Sequence, residues 1–87
     1  MEETRIYDST IFKQALIGDV IKEVVDILSE RGYNPINQIV GYLMSGDPGY
    51  ISSYKDARKK IQSISRTDLL AFLVNNYLQK WDIWDLI

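Results

Sequence analysis

Gly32-Tyr33-Asn34-Pro35 separates two apolar series, Ile17, Val20, Ile21, Val24, Ile27, Leu28 before it and Ile36, Ile39, Val40, Leu43, Met44 after it. Both series recur at three- and four-residue intervals, the spacing of one helical face. Glycine enters the left-handed conformation without steric cost, so Gly32 ends the first helix. Asn34 can cap the next helix with its side chain, and proline at the first helical position has no N–H to leave unsatisfied. Two helices joined by a short turn follow from these four residues.

Working outward, the first helix carries Lys22, Glu23, Asp26, Glu30 and Arg31 on its other face, and its start falls at Asp19 or, beyond Gly18, near Ser9. Residues 1–10 are polar and acidic and read as a mobile arm, which leaves 11–87 as the helical domain. The second helix ends at Ser45-Gly46-Asp47-Pro48-Gly49, a turn-rich break. Ser52 or Ser53 is placed to cap a third, basic helix running to about Ser63 with Lys55, Arg58, Lys59 and Lys60. Ser65 stands three residues before Asp68 in a variant capping box, with Ile64 and Leu69 spaced as a hydrophobic staple. The fourth helix then carries Leu69, Leu70, Phe72, Leu73, Val74, Tyr77, Leu78 and Trp81, more apolar surface than one solvated face accounts for, so it belongs at the centre of a core or in a dimer interface. The tail Trp81–Ile87 is both apolar and acidic and is expected to seek a partner surface.

A chain of 87 residues builds one core and has no room for a second, and at this size self-association is a natural source of added stability. The expected fold is therefore an all-α single domain of about four helices, forming a homodimer. Ten basic against twelve acidic residues give a net charge of -2, which disfavours general nucleic-acid binding. Cysteine and histidine are both absent. Disulfides, thiolate nucleophiles, zinc sites of the usual ligand types and the commonest general base go with them, so no cofactor, metal or catalytic residue is assigned and no enzyme is expected. The polar start MEETRIYDST has no apolar signal region and no stretch approaches a membrane span, so a cytoplasmic protein without membrane insertion is expected.

The run Gly32-Tyr33-Asn34-Pro35-Ile36-Asn37-Gln38-Ile39-Val40-Gly41-Tyr42-Leu43, followed by Ser45-Gly46-Asp47-Pro48, Tyr50-Ile51 and Asp56-Ala57-Arg58, resembles the IreB-like family of small bacterial regulatory proteins over roughly Val20 to Leu78. The resemblance implies a homodimeric helical phosphoprotein of the cytoplasm, modified on an N-terminal threonine by a membrane Ser/Thr kinase with extracellular PASTA repeats and acting in envelope-stress or antibiotic-resistance signalling. It points to Thr4, since Thr4-Arg5-Ile6-Tyr7 matches the family's spacing of threonine and aromatic, with Tyr7 where the family usually has Phe. Ser9 and Thr10 are alternatives to Thr4. The family's C-terminus is typically polar and charged where this one is Trp-rich. Implied partners are a second copy of the chain, the kinase and a downstream protein.

Tyr33, Asn34, Asn37, Gln38, Asp47, Tyr50 and Arg58 are candidates for partner binding. Capping alone accounts for much of the Gly-Tyr-Asn-Pro segment, and a plain interhelical turn accounts for Ser45–Gly49, which has no Gly-Lys-Ser/Thr ending and no strand before it. The basic cluster, with Arg66, reads as a solvated face or as a receptor for a phosphate group. A phosphate on Thr4 beside Glu2, Glu3 and Asp8 is expected not to build structure locally and to seek Arg58, Lys59 and Lys60. The alternative function is a helix-turn-helix-like DNA-binding regulator, against which stands the lack of any Lys or Arg between Pro35 and Ser45.

Overall fold

The computed structural model describes the backbone of residues 2–79 and the side chains of residues 12–79. Four α-helices are present, α1 Glu2–Glu30, α2 Pro35–Ser45, α3 Ala57–Gln62 and α4 Arg66–Gln79, with 3-10 turns at Pro48–Tyr50 and Tyr54–Asp56. There is no strand among the described residues. Trp81 and the rest of the Trp-rich tail lie outside them.

The helix boundaries follow from backbone chemistry. At the end of α1 Gly32 takes φ 85°, its N–H donates to Ser29 O (3.0 Å), and the Tyr33 N–H donates to Leu28 O (3.0 Å), the paired bonds of a Schellman cap. Asn34 accepts from the Asn37 N–H at 3.1 Å and so caps α2, with Pro35 at the first helical position. Gly46 closes α2 in the left-handed conformation, with its N–H on Tyr42 O at 2.8 Å. Ser65 caps α4 by accepting from the Asp68 N–H at 3.2 Å, while Leu69 is buried and Ile64 packs on the core beside it.

Ile17, Val24, Ile27 and Leu28 of α1 meet Tyr42, Ile51, Ala57, Ile61 and Leu69 in one core, with Val20 and Ile21 packed against it. The face read from the first apolar series is thus the buried one. Three expectations need correction. The helix does not wait for Asp19 or Ser9, because no glycine or proline lies between Glu2 and Ile17 to stop it. The residues read as an arm are the first turns of α1. The third helix is shorter than expected, six residues, because Lys55 and Asp56 sit at φ 47° and 63° and break the chain before Ala57. In α2, Tyr42 is the buried residue, while Ile36, Val40 and Met44 line an open edge at 72%, 50% and 82% exposure. The loop that follows α2 packs back on its Tyr42 side, which turns that edge outward. No helix among the described residues is long and apolar enough to cross a membrane.

Candidate functional site

Five of the seven candidate partner-binding residues spend their side chains on the fold. Asn34 caps α2, and Asp47 caps the Pro48–Tyr50 turn by accepting from the Gly49 N–H at 2.8 Å. Gln38 accepts from the Ser52 N–H at 2.9 Å, and Arg58 Nε donates to Ile51 O at 2.8 Å. Gln38 and Arg58 therefore grip adjacent residues of one loop, and Tyr50 joins them by laying its ring over α2 at Gly41. A Cβ built on Gly41 would stand 3.0 Å from Tyr50 Cγ and closer still to Cδ1, so glycine there is what lets the ring approach. Tyr33 and Asn37 remain at the surface by the start of α2.

The basic cluster is largely engaged. Lys55 pairs with Glu30 at 2.7 Å, Lys60 pairs with Glu23 at 3.3 Å, and Arg66 donates to Leu43 O at 3.0 Å, at the end of α2. Lys55 and the Tyr54 hydroxyl (2.9 Å) both donate to Glu30 Oε2, and these bonds hold the Glu30 carboxyl below its ordinary range, while Glu30 raises the Lys55 ammonium. Arg31 stacks over the Tyr54 ring at 5.1 Å. A hydrogen bond from Lys13, at 3.1 Å across α1 and α4, likewise lowers Asp68.

Thr4 lies in the first turn of α1, where backbone N–H groups have no partner within the helix and negative charge is favoured. At 1.5 Å per residue it stands about 28 Å along the axis from Glu23, the level at which Lys60 sits. The backbone at Thr4 is thus far along α1 from the α3 cluster of its own chain, the group expected from sequence to receive its phosphate.

Two features escaped the sequence reading. The Tyr50–Gly41 fit had a visible signal, a lone glycine inside an apolar helix, which often marks a close approach. The other is an apolar groove of about 310 Å³ between the helices, walled by Ile21 and Val25 of α1, Ile36, Val40 and Leu43 of α2, and Leu73 of α4. Periodicity names these residues as apolar and does not tell which of them stay open.

Among the described residues the surface offers apolar edges and basic groups that are largely paired. The family model described as IreB regulatory phosphoprotein matches residues 2–79, from the first residue of α1 to the last of α4. The chain belongs to the IreB family of regulatory phosphoproteins.

Proposed function

We propose that this chain is a cytoplasmic, non-enzymatic regulator that forms a homodimer, is phosphorylated on Thr4 by a membrane Ser/Thr kinase with PASTA repeats, and acts on a downstream protein in envelope-stress or antibiotic-resistance signalling. The family match over residues 2–79 is the observation that carries this reading. The position of Thr4 supports the choice of site. A kinase threads an extended segment, and the end turn of a helix, with its unsatisfied N–H groups, unwinds at least cost. Once transferred from ATP to the Thr4 hydroxyl, a phosphate of about -1.5 to -2 charge sits at the positive end of α1 and favours the turn winding again. Homodimerisation is supported by Leu70, Val74 and Leu78, an exposed stripe on α4. The absence of His and Cys supports a non-enzymatic role.

The test is incubation of the chain and of Thr4→Ala with such a kinase and ATP, with mapping of the modified residue. Loss of most incorporation in the variant supports the site. Incorporation unchanged in Thr4→Ala overturns it.

A further inference from the structure

The groove between α1, α2 and α4 has almost no polar atom on its walls, so water inside it finds no hydrogen-bond partner there, and an apolar occupant is favoured. Lys80-Trp81-Asp82-Ile83-Trp84-Asp85-Leu86-Ile87 follows directly on α4, whose Leu69 and Leu73 form one wall. The family match ends at Gln79, directly before this segment. Apart from Lys80, every residue in it is aspartate or large and apolar.

The distances fit. Gln79 lies about 9 Å along α4 beyond Leu73 and about 15 Å beyond Leu69. Eight extended residues span up to about 28 Å, enough to reverse direction and still run the length of that wall. Charge fits as well: α2 contributes no charged residue to the groove, so the aspartates meet no repulsion from it. Lys22, next to Ile21, is bridged to Asp26, next to Val25, at 3.5 Å, and Arg66 donates to the Leu43 carbonyl.

We propose that Trp81–Ile87 folds back into the groove of its own chain, with Trp81 and Trp84 as the anchors. Tethering gives the segment an effective concentration of order millimolar, which favours it over a second copy at micromolar protein. Any other molecule that uses the groove must displace it. The proposal is independent of Thr4 phosphorylation and of dimer contacts through Leu70, Val74 and Leu78.

Trp81 and Trp84 are the chain's two tryptophans, so intrinsic tryptophan emission reports on this segment alone. In the full chain the emission is expected to be blue-shifted from that of a peptide of residues 80–87, and quenching by acrylamide about threefold weaker or more, as for buried indole. Val40→Glu on the groove wall shifts emission and quenching to the peptide's values. Ile36→Glu, on the same wall and 72% exposed, gives the second reading if Val40→Glu loses helicity by circular dichroism. Peptide-like emission in the full chain overturns the proposal, and so does emission unchanged in both variants. A blue shift that vanishes on dilution in step with dimer dissociation assigns the groove to a second copy and overturns it too.

Discussion

Gly41 is placed inside α2, where alanine would ordinarily add about 1 kcal/mol of helix propensity. Here the sign is expected to reverse, because the Cβ of Gly41→Ala displaces the root of the Tyr50 ring, and overpacking costs about 1–3 kcal/mol. Urea denaturation should show Gly41→Ala less stable than the parent. Combined with Tyr50→Ala the same change should be neutral or favourable, a coupling that a double-mutant cycle reads directly. Asn34→Ala is expected to cost about 0.5–2 kcal/mol in the same assay, the usual loss when a helix cap is removed. These two positions differ in how legible they are. Asn34 works on its own neighbours, so Asn-Pro after Gly32 declares it. The partner of Gly41 comes from the following loop, and only the presence of a glycine hints at it.

At the scale of elements, the carboxyl end of α1, both ends of α2 and the start of α4 are legible because capping is local, whereas the start of α3 is not. Lys55 and Asp56 are held at positive φ by contacts distant in sequence: Lys55 and Tyr54 on Glu30, and Arg58 on Ile51 O, around the buried Ile51 and Ala57. Propensity alone predicts a longer helix there, and tertiary contact overrides it. The same cross-element contacts set a pH dependence. Glu30 and Asp68 titrate lower in the fold than in the open chain, so each stabilises the fold above the ordinary carboxylate range and ceases to do so as pH falls through its lowered pKa. Lys55 is raised, so its contribution is full below the ordinary lysine range and is lost as pH rises through the raised value. Melting temperatures measured from about pH 7 down to about pH 3 should fall on the acid side. Glu30→Gln and Asp68→Asn should each flatten that fall. An acid limb of unchanged slope in both variants would refute the assignment.

For the whole molecule, the excess of apolar surface on α4 is legible in the sequence, and the structure shows how it is divided. Leu69 is buried, Leu73 walls the groove, and Leu70, Val74 and Leu78 stand outward. Periodicity could not make that division, since it depends on where α1 and α2 lie. If the outward stripe joins two copies, Val74→Glu with Leu78→Glu should convert a dimer to a monomer in sedimentation at micromolar concentration while helicity is retained, because both side chains are more than half exposed. A parent chain that sediments as a monomer under those conditions refutes the dimer.

The 29 residues of α1 make a rod of about 44 Å, matching the molecule's longest dimension of 42 Å. Its carboxyl half is clamped in the core, and farther toward the amino end Gly18 rests bare backbone against the Phe72 ring, where a Cβ would stand 3.0 Å from Cζ. In mechanical terms Lys13, bridged to Asp68 at 3.1 Å, is the last described hold on α1, a fulcrum with the turns before it as a lever. A tilt of about ten degrees there would carry the backbone at Thr4 through about 2 Å, so any partner gripping that end would work with leverage on the Lys13–Asp68 bridge while the seat of Ile17, Val24, Ile27 and Leu28 stays still.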